Sequence, residues 1–294
     1  MTETVQLDFQ SYIATAHALA ERAGEVILPH FRSGVAVDDK GGGAFDPVTV
    51  ADRDAEAAIR EILADAYPGH GVVGEEFEDS QPDAEFCWIV DPIDGTKGFL
   101  RGDQYAVALA LVVDSRVVVG VLGCPKLGLT PGHGSPGVLV AATRGAGATI
   151  ESLHEDVEVP ARVDAITDTA QAVLCESVEA AHAAHSVQAA IARRLGITAE
   201  PYRIDSQCKY AVVASGEASI YLRLPRDTSY REKAWDHAAG SIVVEEAGGR
   251  VTDLDGQPLD FSQGRLLANS RGIVCTNGAL HQEVLEACRG ELGL

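Results

Sequence analysis

Apolar residues recur at helical spacing near the start of the chain: Phe9, Tyr12, Ile13, Ala16, Leu19, Ala20, Ala23, Val26, Ile27 and Phe31. A stripe returning every three or four positions predicts an amphipathic helix over 8–31. The pattern lapses in DDKGGGAFDP (38–47), whose glycines and proline predict a loop. It resumes from Ala51 to Ala66, with Ala55, Ile59, Ile62, Leu63 and Ala66 on one face, and YPGHG (67–71) ends that second helix. Beyond it the period shortens. Val72-Val73 and FCWIV (86–90) are brief unbroken apolar runs, the pattern of buried strands. YAVALALVVDSRVVVGVLG (105–123) holds two such runs about Asp114-Ser115 and predicts a hairpin, followed by a loop at 129–137.

The second half begins near residue 160 and returns to alternating helices and strands. Helices are expected over 179–195, over 206–215 with Gly216 closing it, and from Trp235 to Ala247 before Gly248-Gly249. Strands are expected at 218–224 and 272–278, the latter feeding a last helix with Asn277 as its N-cap. Antiparallel pairs first and alternating elements afterwards predict a mixed α+β layered fold. At 294 residues the chain is long for one domain and short for two independent ones. One globular unit of two lobes is expected, residues 1–155 and 156–294, with no repeat or linker between them.

Composition changes this picture little until charge is counted. The balance of 23 basic against 44 acidic residues gives a net charge of −21, which argues against a nucleic-acid polymer or an anionic membrane as partner. It also opposes a phosphate-bearing ligand unless cations intervene. The six cysteines are scattered through apolar runs without a CxxC pair, so they read as small buried hydrophobes of a reducing, cytoplasmic setting. The opening MTETVQLDFQ lacks a basic segment followed by an apolar one, so no secretory signal is expected.

Candidate chemistry gathers at element ends. WIVDPIDGTKGF (88–99) places Asp91 and Asp94 around one turn at the end of a strand. Two readings stay open for them: an Asx-turn in which each caps a backbone N–H, or a pair of carboxylates held together by something positive. Asp52 and Asp236 stand at helix starts, where aspartate commonly caps, and Glu75 and Glu76 follow a strand. Together they offer carboxylates from four separate elements. Oxygen donors without histidine or cysteine neighbours favour hard cations, magnesium foremost. Such ions would neutralise the cluster and admit a phosphate. Lys209 and Arg223 are cations in otherwise apolar segments; they suit either a salt bridge or a phosphate grip.

With WIVDPIDGTKGF, WDHAAGSIVVEEAGG (235–249), GEE (74–76) and DPVTVAD (46–52) assembled, the sequence resembles the lithium-sensitive, magnesium-dependent phosphatase superfamily of inositol monophosphatase over its whole length. DSQCKYAVVASGEASIYLRLP (205–225), YREKAWDHAAG (230–240) and DFSQGRLLANSRGIVCTNG (260–278) look like its bisphosphate nucleotidase branch. The resemblance implies a layered αβαβα sandwich, two or three magnesium ions, and hydrolysis of adenosine 3',5'-bisphosphate to AMP and phosphate, with the sulfated analogue as a second substrate. It implies that Asp52 and Thr96 activate the attacking water. It assigns Glu75, Asp91 and the Ile93 carbonyl to one ion, and Asp91, Asp94 and Asp236 to another. A third is served by Glu75 and by Asp52, largely through water. His182, Ser206, Lys209 and Arg223 are assigned to the nucleotide, with Glu76 and Lys97 in support. For His182 and Ser206 the plainer readings are a surface histidine, with His185 as an equal candidate, and a helix cap. A monomer or homodimer is expected. The rival readings are an inositol or histidinol monophosphatase and a non-catalytic sensor of metal and nucleotide. The glycines at 41–43 are expected to form a flap near Asp52.

Overall fold

In the computed structural model, residues 8–33, 37–39, 47–128, 137–178, 185–225 and 230–294 are described. The expected flap at 41–43, most of the 129–137 loop, the first part of the 179–195 helix and His182 lie outside them. The first half contributes α1 (Phe9–Ser33), a small antiparallel ribbon of β1 (Val37–Asp39) and β2 (Pro47–Thr49), α2 (Val50–Ala66), and then β3 (Gly71–Gly74) and β4 (Phe86–Asp94). A short α3 (Thr96–Arg101) precedes β5 (Ala106–Val113) and β6 (Arg116–Cys124), and β7 (Val138–Thr143), β8 (Gly147–Ser152) and β9 (Glu158–Pro160) follow. Strands β3 to β9 form one seven-stranded sheet in chain order, antiparallel except for the β3–β4 pair.

The second half supplies β10 (Leu174–Glu176), α4 (His185–Arg194), β11 (Tyr202–Arg203), α5 (Cys208–Ala214), β12 (Ile220–Arg223), α6 (Ala238–Glu246), β13 (Arg250–Thr252), β14 (Ile273–Thr276) and α7 (His281–Leu292). Its five-stranded sheet runs β11-β10-β12-β14-β13 and is mixed. Helices α1 and α2 cover the outer face of the first sheet, and α5 and α6 fill the space between the sheets. On the far face of the second sheet, α4 and α7 pack together over a third core. The order is helix, sheet, helix, sheet, helix, the αβαβα sandwich that the resemblance implied.

Strand β5 shows why its sequence is apolar at every position. Ala106, Ala108, Ala110 and Val112 face α6, whereas Val107, Leu109, Leu111 and Val113 face α1. Successive side chains point to opposite faces, and both faces are covered. The face toward α6 is lined with small residues because the helix crosses close. A Cβ built on Gly120 of β6 would lie 2.4 Å from Ile242 Cγ2 on that helix. Since α6 comes from the second half and packs on the first sheet, the two halves share one core. All six cysteines are free and buried, as their apolar settings suggested. No described helix is long and apolar enough to cross a membrane.

Several local expectations need correction. Residues 38, 39 and 47 belong to the β1–β2 ribbon and not to a loop. Strand β4 does not stop at Asp91: it pairs on to Asp94 through a bulge, which releases Pro92 from a ladder bond it cannot make. The helix expected from Trp235 starts at Ala238, with His237 as its N-cap, so Asp236 stands ahead of it. The last helix is capped at Leu280, one turn beyond Asn277, whose side chain instead accepts from the Leu280 N–H at 3.1 Å and donates to Asp164. The 206–215 helix is shorter, Cys208–Ala214.

Candidate active site

The bulge in β4 is the local device that gathers the acids. Asp91 stands opposite Ala108 and Asp94 opposite Ala106, so one extra residue is taken up between them. In a regular strand, positions three apart point to opposite faces. The added residue re-aims Asp94, and a ligand atom from each of Asp91, Asp94 and Asp236 falls within 4.8 Å of the others. Gly95 then turns the chain with φ +89°, a left-handed conformation open to glycine, and a Cβ there would come within 2.9 Å of Ser206 Cβ. That turn brings Thr96 back toward the strand end. Its hydroxyl reaches the Ile93 carbonyl at 3.3 Å and Asp52 Oδ1 at 3.4 Å.

Asp52 takes the capping role expected of a helix start, and its second oxygen lies beside Thr96. It closes a capping box on α2: Oδ2 accepts from the Thr49 N–H at 2.8 Å and from the Thr49 hydroxyl, while Thr49 Oγ1 accepts from the Ala51 N–H. The other oxygen faces Thr96. Capping therefore fixes the rotamer and leaves Oδ1 for the site. Glu75 continues from β3, its N–H bonded to the Val90 carbonyl at 3.2 Å, and its carboxyl shares a hydrogen bond with Asp91. The Glu76 N–H donates to the buried Glu56, itself paired with Arg60.

The charge balance of the cluster is unfavourable as it stands. Burial, then Glu75, Asp94 and Asp236, push the Asp91 carboxyl well above the usual range. Burial raises Asp94 to about 6, against the pull of Lys209 and the Gln207 N–H. Burial and Asp94 raise Asp236 to about 7. Asp91 Oδ1 is fully buried and has no hydrogen-bond partner among the described residues. A buried carboxylate oxygen without a donor costs free energy that a cation would remove. An all-oxygen donor set with such an orphan fits a hard divalent ion.

A stability prediction follows from the signs. These carboxyls have folded pKa values above their unfolded ones, so they weaken the fold once ionised. In the metal-free protein, the melting temperature is expected to fall as pH rises through about 6 and then about 7. Added divalent ion should flatten that decline. Melting curves in EDTA that are level across this window would contradict the clustering.

The cations predicted for substrate lie on the opposite wall. Lys209, on α5, is buried; its Nζ donates to the Ser206 carbonyl at 2.8 Å and sits 5.3 Å from the Tyr221 ring. Burial lowers its pKa, and Asp94 opposes that. Arg223, at the end of β12, pairs through Nε with Glu232 at 3.2 Å and gives a hydrogen bond to Tyr230. Both cations act on Asp94, so both border the acidic cluster. Ser206 has φ +65° and its hydroxyl accepts from the Cys208 N–H at 3.2 Å, the cap-like role foreseen for it. His185 opens the described part of α4, its Nε2 3.1 Å from the Ser177 carbonyl.

Further contributors were not singled out from the sequence. Gln207 donates its backbone N–H to Asp94 and its side-chain amide to the Trp235 carbonyl. Behind Arg223, Glu232 is followed by His237 and Tyr210: His237 Nε2 lies 3.4 Å from Glu232 Oε2 and Nδ1 2.8 Å from the Tyr210 hydroxyl. Arg265 reaches from the 253–272 segment to the Glu75 carbonyl. Gln207 and Arg265 act across long sequence separations, and Glu232 across a short one; all lie within stretches that carry the resemblance, but nothing local marks what they hold.

Comparison with known proteins places the chain in a family. Residues 8–291 match the inositol monophosphatase family. A 3'(2'),5'-bisphosphate nucleotidase of Emericella nidulans is 47% identical over 70% of this chain and 63% of its own length. One from Schizosaccharomyces pombe is 37% identical over 85% of this chain and 84% of its own. One from Oryza sativa is 51% identical over 68% and 58%. The chain thus spans less than two thirds of the length of some of these relatives. Among solved structures, a Thermotoga maritima IMPase superposes with a TM-score of 0.78 at 24% identity, covering 96% of this chain and 98% of that one. The suhB extragenic suppressor protein of Bartonella henselae does so with 0.76 at 26% identity, over 95% and 98%.

Proposed function

The chain belongs to the inositol monophosphatase family, and on that premise we propose that it is a magnesium-dependent phosphomonoesterase acting on adenosine 3',5'-bisphosphate. The observation that carries the reading is Asp91 Oδ1, without a hydrogen-bond partner among the described residues, amid converging carboxylates, beside the Thr96–Asp52 pair and bordered by the buried Lys209 and the partly buried Arg223. The names of the relatives support the substrate, and a sulfated analogue with the same two ester positions is a second substrate. In this reading residues 1–155 bring most of the acids and residues 156–294 bring Asp236 and the groups for the nucleotide.

Glu75, Asp91, Asp94, Asp236 and the Ile93 carbonyl would hold the magnesium ions, with Asp52 contributing largely through water. The ions supply positive charge for the phosphoryl group and make water a stronger acid. The rest belongs to the chain. Thr96 Oγ1 points its proton between Asp52 Oδ1 and the Ile93 carbonyl, which leaves its lone pairs to accept from the attacking water. The water's proton passes toward Asp52, whose rotamer the Thr49 cap already fixes. A bond forms from the water oxygen to phosphorus, the bond from phosphorus to the ribose 3'-oxygen breaks, and that oxygen gains a proton. Lys209 and Arg223 bind the phosphate that is retained, since a guanidinium suits phosphate geometry. Most of the rate gain is positioning and charge stabilisation.

One observation favours a monophosphatase instead: Glu232 and Tyr230 already engage the Arg223 guanidinium. Phosphate release across a panel of nucleotide, inositol and histidinol phosphates decides. Release from adenosine 3',5'-bisphosphate with magnesium, abolished by EDTA and exceeding that from inositol 1-phosphate in kcat/KM, is the expected result. Equal or greater kcat/KM on the monophosphates would overturn the substrate, and release unaffected by EDTA would overturn the ion site.

A further inference from the structure

The two acidic walls come from distant parts of the chain, and one side chain ties them together. Residues 232–234 and 265–267 pair as a short antiparallel bridge: the Ala234 N–H donates to the Arg265 carbonyl at 3.0 Å, and the Leu267 N–H to the Glu232 carbonyl at 2.9 Å. That pairing fixes the Arg265 backbone next to Trp235 and Asp236. The Arg265 guanidinium lies 4.6 Å from the Trp235 ring. From there Nη2 donates to the Glu75 carbonyl at 3.2 Å, and Nη1 to the Phe77 carbonyl at 3.2 Å and to Asp79. The residues after β3 that carry Glu75 are therefore held at one end by the Glu75 N–H on Val90 and at the other by Arg265.

We propose that Arg265 is a positioning residue for the divalent-ion site, setting the separation between Glu75 on the first half and Asp236 on the second. It touches neither carboxylate. It acts by stacking on the residue before Asp236 while its planar fork holds the carbonyl of Glu75. Lysine cannot do both, because an ammonium is a point donor without a flat face. The proposal rests on the ion-site reading above.

Electrostatics and positioning predict opposite signs, which makes the idea testable. Removing a positive charge close to a cation site would by itself tighten ion binding. Loss of registration between Glu75 and Asp236 would weaken it. Calorimetric titration of the intact, EDTA-stripped protein with magnesium, and with manganese as a second probe, reads this without substrate. Arg265→Ala is expected to raise the dissociation constant at least tenfold. Arg265→Lys keeps the charge and should weaken binding too, by a smaller factor; it decides the matter if the alanine variant does not fold. Trp235 fluorescence should change on ion addition in the wild type and respond less in both variants. Binding as tight as wild type, or tighter, in the variants overturns the positioning role. Absence of any ion binding in the wild type would instead remove the ion-site reading on which it stands.

Discussion

Asp91→Asn is expected to lower phosphate release from adenosine 3',5'-bisphosphate by roughly three orders of magnitude, the scale on which a single charge-stabilising group is lost from an active site. The same change should raise the melting temperature of the metal-free protein at neutral pH. The two effects share one origin. Asp91 is buried, its Oδ1 has no donor among the described residues, and Glu75, Asp94 and Asp236 all oppose its ionisation. An amide removes the repulsion and gives Glu75 a donor, so the empty fold relaxes. It also removes an anionic ligand assigned to two ions at once. Structural acids behave the other way: their loss lowers stability and leaves turnover alone. Turnover is to be measured at saturating magnesium and melting in EDTA. Near-normal turnover, or a fall in the metal-free melting temperature, would count against Asp91 as an ion ligand.

Legibility of the fold followed how local each signal was. The hairpin about Asp114-Ser115 was visible because its turn is written in the turn residues themselves, both with positive φ as a two-residue hairpin requires. Helices α1 and α2 were visible through their apolar stripes. The extension of β4 past Asp91 was not, because Pro92 argues against a strand unless a bulge is known to be there, and a bulge is a property of the pairing with β5. Strands β7 to β9 are held by pairing with their neighbours.

The site divides in the same way. Asp52, Glu75, Asp94 and Asp236 sit at or beside element ends and Asp91 at the bulge just before one, so their types and places could be read one by one. Asp52 caps α2 through one oxygen and faces Thr96 with the other, so a helix cap leaves room for the second task proposed for it. Arg265 and Gln207 were invisible because what they do depends on partners well over a hundred residues away in the chain. Glu232 was overlooked though it stands four residues before Asp236, since nothing local shows that it would hold Arg223.

Arg223→Ala should reduce kcat/KM for adenosine 3',5'-bisphosphate by roughly a hundredfold, since a charged hydrogen bond to substrate contributes about 1.5–3 kcal/mol and a guanidinium can make two. A nucleoside 3'-monophosphate, which lacks the retained phosphate, should lose little. Stability complicates the comparison. Arg223 and Glu232 form a largely buried pair, and removing one partner of a fully buried pair typically costs about 3–5 kcal/mol, which sets an upper bound here. Glu232→Gln in the same chain removes the stranded charge, while the amide still reaches toward His237, which bonds Tyr210 behind it. The double variant should therefore regain much of the lost stability and none of the discrimination between the two substrates. That separation distinguishes recognition from support. If the bisphosphate and the monophosphate suffer equally in both variants, Arg223 serves only to hold the second sheet against α6, and the second phosphate must be bound elsewhere.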